Sequence, residues 1–424
     1  MFLFWEAVPQ IISIGRENLL DKFFKLKEHG TDVKTEILAG ITTFLTMAYI
    51  LAVNPSILSS TGMDAGALFT ATALAAIIGT LCMAFFANYP IALASGMGLN
   101  AFFASIVAGG ISWQIVLTAI LIEGIVFILL TFFRFREAIV NAIPTNMKYA
   151  ISAGIGLFIA VIGLSNAGVF STGLLAGAYT SVQVILCTVG VIVIGFMLYK
   201  KVKGAILWGI LITYALGIIA QLIGWYVPNP EVGAYSLYPS GIFSLPPNIA
   251  PIFFKFDFAG AFGMGIDFLV ICFAFLMVDM FDTVGTLVGV ASQGNLLDKQ
   301  GKLPKAKQAL MADALGTTAV MFGLALFLSP LFLAIPGFAT APALIIVGLM
   351  MLKSILKIDL SDYSEAVPAF LAIIIMPVTS SIADGMMFGF ISWVVLKLVS
   401  GQPKKIHPIM YVVSALFILK LIFA

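Results

Sequence analysis

Long apolar stretches recur from residue 37 to residue 400, and each is closed by a short polar turn before the next begins. A helix needs about 20 mostly apolar residues to cross a bilayer core. On that measure spans are expected near 37–58, 67–88, 91–108, 113–132, 146–165, 181–199, 204–226, 262–291, 308–335, 340–357, 367–383 and 386–400, about twelve in all. The last apolar run, 408–424, carries Lys420 and fits a span, a re-entrant piece or an interfacial helix. The first twenty residues contain Glu6, Pro9 and Arg16 and lack the basic start and unbroken apolar stretch of a signal peptide, so an interfacial amphipathic helix is expected there.

Basic residues mark one side of this pattern. Lys22, Lys25, Lys27 and Lys34 precede the first span, Arg134 and Arg136 follow the fourth, and Lys200, Lys201 and Lys203 follow the sixth. Lys299, Lys302, Lys305 and Lys307 follow the eighth, Lys353 and Lys357 the tenth, and Lys397, Lys404 and Lys405 the twelfth. With an even number of crossings between them, all of these ends share a face, and lysine-rich loops stay in the cytoplasm. The amino terminus is therefore expected inside, and a cell membrane, the bacterial inner membrane in particular, is the expected location. The opposite loop, about 227–261, is rich in Pro, Gly and aromatic residues and suits an external loop lying on the interface.

Composition removes whole classes of function. Of 424 residues 61% are hydrophobic and 10% charged, against about a quarter charged in soluble domains, so the chain has no room for a polar domain. A balanced net charge of +2 argues against a nucleic-acid surface. Cys82, Cys187 and Cys272 lie singly in apolar runs, and only His29 and His407 could join them, which points to no metal, haem or disulfide framework and to no cofactor.

A charged side chain at bilayer depth costs about 2.5–3.5 kcal/mol on insertion scales, so each one requires a reason. Asp279 and Asp282 stand three apart, on one face of a helix, and are followed by Thr283 and three glycine or threonine positions. Two neighbouring carboxylates held out of water favour proton uptake near neutral pH, which makes them candidates for proton coupling and solute binding. Glu123 and Asp313 read instead as structural acids, the first joining two helices by a hydrogen bond, the second capping a helix or pairing across the bundle.

The stretch from Tyr89 to Ala104 is too rich in small residues for a regular span and predicts a half-helix that begins inside the membrane. Its exposed N–H groups would suit the acceptors of a heterocycle, with Asn100 able to donate and accept. Ser95, Gly96 and Gly98 serve that reading and, equally, a close-packed helix seam. An internal repeat is also suggested: Ala142-Ile143-Pro144 is matched by Ala334-Ile335-Pro336, and the same offset pairs Gly156-Leu157 with Gly348-Leu349.

Four segments then carry a family resemblance: EILAGITTFLTMAYILAVNP at 36–55, ALASGMGLNAFFA at 92–104, FLMVDMFDTVGTLVGVA at 275–291 and IPGFATAPALIIVG at 335–348. In this order they resemble the AzgA-like purine permeases, relatives of the nucleobase-ascorbate transporters. The resemblance implies an all-α membrane protein of two inverted sets of seven segments, with core and gate domains, that imports a purine base with a proton. It divides the chain into a cytoplasmic segment 1–36, core 37–132, gate 138–226, external loop 227–261, core 262–335, gate 336–400 and a tail 401–424. Asp282 is then similar to the carboxylate facing substrate, with Asp279 beside it; Ser95 to Asn100 form the strand and half-helix of the third segment, and Asn54 caps the first. Phe102 and Phe281 are candidate pocket aromatics, and a homodimer is an open expectation.

One departure stands out. After ALGTT at 314–318 the family has a tenth segment that forms the other wall of the site, whereas here the chain runs straight into VMFGLALFLSPLF. The end of the ninth segment, the tenth and the start of the eleventh are missing, which leaves about 12 spans instead of 14. An even number of crossings is lost, so later lysines keep their side. Two readings compete: an importer of hypoxanthine, guanine or adenine, and an impaired deletion variant acting as a sensor, a subunit or nothing. Enzyme and channel readings lack a catalytic cluster or a filter motif.

Overall fold

The computed structural model describes residues 33–82, 92–132, 142–169, 180–228, 235–293 and 321–423, with the backbone alone for 33–36, 130–132, 280–293, 419–420 and 422–423. The described residues form helices joined by turns and loops, with no strand among them. In chain order the helices are α1 (Val33–Met47), α2 (Ile50–Leu58), α3 (Ala65–Cys82), α4 (Met97–Ala108), α5 (Trp113–Phe132), α6 (Thr145–Asn166), α7 (Val182–Tyr199) and α8 (Ala205–Leu222). Then come α9 (Phe258–Gly263), α10 (Ile266–Gln293), α11 (Ser329–Leu333), α12 (Gly337–Leu352), α13 (Tyr363–Thr379), α14 (Ile382–Val399) and α15 (Pro408–Phe423). Seven helices among the described residues are long and apolar enough to cross a membrane. Large apolar side chains such as Ile78, Ile192, Phe196 and Trp208 stay exposed on them, as a lipid-facing surface requires.

Most expected spans coincide with helices, and the differences have local causes. The first expected span breaks at Ala48 and Tyr49 into α1 and α2, and Pro55 lies inside α2. The boundary between the last two spans falls at Ser380, whose φ of 54° ends α13 three residues before 383. Ser381 then caps α14 by accepting a bond from the Asp384 N–H at 3.2 Å, a cap legible in the Ser-x-x-Asp spacing. Within the expected external loop, Asp257 caps α9 at Gly260 N–H, so helix begins at Phe258. The tail is a helix whose Met410, Val413 and Phe417 are buried; the Phe417 ring lies 5.5 Å from Phe273 of α10 and 6.1 Å from Phe390 of α14. The expected amphipathic helix at 1–20 and the joined part of span 308–335 before residue 321 lie outside the described residues.

The helices pack as two sets. One contains α2, α3, α4, α5, α9, α10 and α11; the other contains α6, α7, α8, α12, α13 and α14. They meet where α4 and α10 touch α6, where α10 touches α14 and where α2 touches α12. The matched prolines fall at equivalent places, Pro144 capping α6 and Pro336 capping α12. These two helices are antiparallel neighbours: Asn146 at the start of α6 pairs with the Asp359 backbone beyond α12, while Gly337 at the start of α12 lies beside Asn166 at the end of α6. The matched glycines meet between them, since a Cβ on Gly156 would lie 2.6 Å from the Gly348 carbonyl oxygen and one on Gly348 would strike Gly156 in turn. A repeat related by inversion therefore places its own glycines at its axis, where only hydrogen lets two backbones approach so closely.

At the lysine-bearing end α13 and α14 are tied by Lys397, whose side chain is 1% exposed and whose ammonium lies 2.8 Å from Glu365 and 3.4 Å from Asp362, while donating to Ser364 Oγ at 2.6 Å. Two hydrogen bonds from Ser364 hold the Asp362 carboxyl below its usual range, with Lys397 adding to the effect.

Gly156→Ala and Gly348→Ala are each expected to destabilise the chain by about 1–3 kcal/mol through overpacking, read as a lower melting temperature of the detergent-purified protein. Gly195→Ala, where a Cβ meets nothing within 4 Å, should leave it unchanged.

Candidate functional site

Residues 92–96 are not helical, and α4 begins only at Met97, so the expected half-helix is present. Gly96 at its cap has extended backbone angles, φ −74° and ψ 120°. The first intrahelical bond runs from Asn100 N–H to Gly96 C=O at 3.1 Å, so the N–H groups of Met97, Gly98 and Leu99 precede the helix's own acceptors. Upstream, the backbone is held by Thr80 of α3, a fully buried residue whose hydroxyl accepts from Leu93 N–H at 3.1 Å and donates to Leu93 C=O at 3.3 Å. Gly79 lets the two segments approach, since a Cβ there would sit 3.3 Å from that of Leu93.

The half-helix is anchored by a chain of side-chain hydrogen bonds. Asn100 Nδ2 donates to Asn54 Oδ1 of α2 and, at 3.3 Å, to Ser95 Oγ. Asn54 Nδ2 donates to Thr72 Oγ1 at 2.7 Å, and Thr72 passes its own proton to Leu68 C=O at 2.7 Å. Asn54 and Thr72 are both 4% exposed, so these bonds satisfy groups that would otherwise be stranded in an apolar interior. Among the described residues neither the Asn100 Oδ1 atom nor the N–H groups of Met97, Gly98 and Leu99 have a hydrogen-bond partner, which leaves both a donor and an acceptor edge beside the break.

Of the residues to which the sequence pointed, the structure brings together Asn54, Ser95, Gly96 and Asn100, but Asn54 does not cap the first segment: it lies inside α2, between the caps Tyr49 and Ser59, and its amide bonds across to α3 and α4. Sequence reasoning missed Thr72 and Thr80, because a threonine inside an apolar helix carries no signal of which neighbour it serves. Gly98 falls to the packing reading: a Cβ there would lie 2.9 Å from Ile155 Cγ2, so it admits α6 against α4. Phe102, two residues beyond Asn100 and on the other face of α4, is 3% exposed and packs on Phe275 of α10 with ring centres 4.8 Å apart. It is core rather than pocket.

Of the acids, Asp279 lies on α10, which is helical through positions 282 and 283 as well; the side chains of Phe281, Asp282 and Thr283, and all of Asp313, lie outside the described residues. Glu123 of α5 is buried at 6% exposure and faces α10, close enough to Asp279 and Cys272 to act on both electrostatically. Its Oε1 has no hydrogen-bond partner among the described residues. No helix-joining hydrogen bond from Oε1 is among the described interactions; α5 and α10 pack along their length there, with Cys272 Sγ near Ala119 C=O at 3.8 Å.

A cavity of about 660 Å³ opens at the end opposite the lysines, between the two helix sets. Ala52, Pro55 and Ser56, on one face of α2, and Ser59 just beyond its end form one wall. Asn54 points from the other face toward α3 and α4, so α2 stands between the cavity and the asparagine chain. Ser56 Oγ approaches Thr340 Oγ1 of α12 at 3.5 Å, a contact that joins the two sets beside the cavity.

With the broken helix, its polar anchor and the interfacial cavity in place, comparison with known proteins gives the family. The sequence model of the Permease family matches residues 34–319. The guanine/hypoxanthine permease PbuG of Bacillus subtilis is 40% identical over an alignment covering 95% of this chain and 99% of its own length. The adenine permease AdeP of Escherichia coli K12 is 39% identical, with 96% and 97% covered. The chain belongs to the Permease family. It is a multi-pass membrane transporter and not an enzyme. Two features of the match bear on the expected gap: the family match ends at 319, one residue beyond the ALGTT sequence, and the alignment to PbuG runs over 449 positions, more than the 424 residues of this chain.

Thr80→Val keeps the side-chain shape but removes both bonds to Leu93. A loss of about 1–3 kcal/mol is expected from the stranded backbone groups, measured as a lower melting temperature. Thr188→Val, which removes only a bond to Val184 C=O within its own helix, is the control expected to change little.

Proposed function

We propose that this permease carries neutral purine nucleobases of the adenine, guanine and hypoxanthine class across the cell membrane together with protons, with its amino terminus in the cytoplasm. The observation that carries the reading is the half-helix at Met97, anchored by Asn54 and Asn100, in a chain about 40% identical over nearly its whole length to adenine and guanine/hypoxanthine permeases. Unpaired N–H groups and an amide edge match the ring nitrogens and exocyclic groups of a base. In this reading Asp282, with Asp279 and Thr283 beside it on α10, takes up the proton and faces the base. The α2 to α5 and α9 to α11 set is the core, the α6 to α8 and α12 to α14 set is the gate, and the two rock against each other. The lysine-bearing ends face the cytoplasm.

A second reading is favoured by one observation, the end of the family match at residue 319. A chain lacking the segment that follows ALGTT would keep one wall of the site and lose the other, and would bind purine weakly without moving it.

Uptake of radiolabelled adenine, hypoxanthine and guanine in a host without its own purine transporters separates the two. One proton moving through about 100 mV supplies about 2.3 kcal/mol, enough for about forty-fold accumulation of a neutral base. Accumulation that an uncoupler abolishes, and that Asp282→Asn abolishes while the protein remains in the membrane, is expected. No uptake by correctly inserted protein would leave the second reading standing, and accumulation unaffected by Asp282→Asn would remove the proposed coupling.

A further inference from the structure

The cavity at the lysine-poor end is separate from the asparagine chain, because α2 stands between them, and its lining has its own chemistry. No lining side chain carries a charge. Two are amides, Asn166 at the end of α6 and Gln183 at the start of α7, and neither makes a side-chain hydrogen bond to any described residue. Each therefore presents a donor and an acceptor side by side, the arrangement with which Asn and Gln pair to the edge of a purine. Aromatic surface is supplied from the other side by Tyr235, which is 67% exposed and whose carbonyl oxygen accepts from the Tyr226 hydroxyl at 3.0 Å; Tyr226 and Phe338, with ring centres 5.9 Å apart, are themselves buried. Bases stack on such faces whatever their substituents. At about 660 Å³ the cavity is within the usual size of small-ligand sites, about 300–1,000 Å³.

We propose that this cavity is a second binding site, at the outer mouth of the permease, which holds a neutral flat heterocycle of the purine class before it reaches the half-helix, with Asn166 and Gln183 reading its edge. The ligand class rests on the purine-transport reading; the site itself does not. The uncharged lining gives it a selectivity of its own. A nucleotide would bring a phosphate into a cavity with no cation to meet it, a cost that a free base does not incur.

The test places a reporter at Ser165, an exposed lining residue next to Asn166. Cells carrying Ser165→Cys are treated with a membrane-impermeant maleimide, and the unsubstituted chain, with its native Cys82, Cys187 and Cys272, gives the background. Labelling from outside is expected, slowed by adenine or hypoxanthine and unaffected by AMP. Adding Asn166→Ala or Gln183→Ala should raise the base concentration needed for half-protection by about tenfold, the loss of one paired edge. Labelling only in inside-out vesicles, protection by AMP equal to that by the base, or no protection by either would overturn the proposal, as would half-protection unchanged in both variants. Uptake serves as the independent readout. Protection without uptake would remove the transport reading and keep the site; uptake without protection would do the reverse.

Discussion

A helix that breaks inside hydrocarbon must find partners for its exposed backbone, since no water is there to supply them. In this permease the partners come from two neighbouring helices. Thr80 closes on both backbone groups of Leu93, and Asn54 and Thr72 anchor Asn100. The consequence is an unwound stretch held rigidly enough to keep a few donors and one amide oxygen open beside it. On the proposed reading, polar recognition in a chain with so few charges depends on that arrangement, because a site built from loops would be lost in lipid.

The same economy governs the packing between helices. Lipid tails offer no hydrophobic drive to join apolar helices, so association rests on close contact and on buried polar ties. Gly156 and Gly348 bring α6 and α12 together backbone to backbone, Gly98 admits Ile155, and Lys397 binds α13 to α14 through an ion pair and a serine. Contacts within each helix set are extensive, whereas α2 and α12 meet beside an open cavity through the hydroxyls of Ser56 and Thr340. A boundary of that kind suits two bodies that shift as units. The cavity and the half-helix lie on opposite faces of α2, which makes this short helix with its internal proline the element that both face.

Much of this was legible in the sequence, and the residues show why. Spans declare themselves by length and apolarity, and the half-helix at Met97 by the small residues that a regular span would avoid. The repeat rested on two short matches, yet its glycines proved to touch, because an inversion axis demands small residues at fixed, equivalent places. Side-chain partners were far less accessible. Nothing in an apolar run tells whether Thr80 bonds to its own helix, as Thr188 does, or to a neighbour. Asn166 and Gln183 carry no signal in the sequence; the packing of α6, α7 and α12 is what places them around one cavity. Phe102 was read as a pocket aromatic from its motif, whereas its position on α4 turns it toward Phe275.

The account as a whole requires the two helix sets to part. A disulfide between cysteines at Ser56 and Thr340, whose hydroxyl oxygens stand 3.5 Å apart, would hold them together. With that double substitution, purine uptake should be absent under oxidising conditions and return on reduction, while each single variant transports in both. Undiminished uptake with the cross-link fully formed would contradict the account.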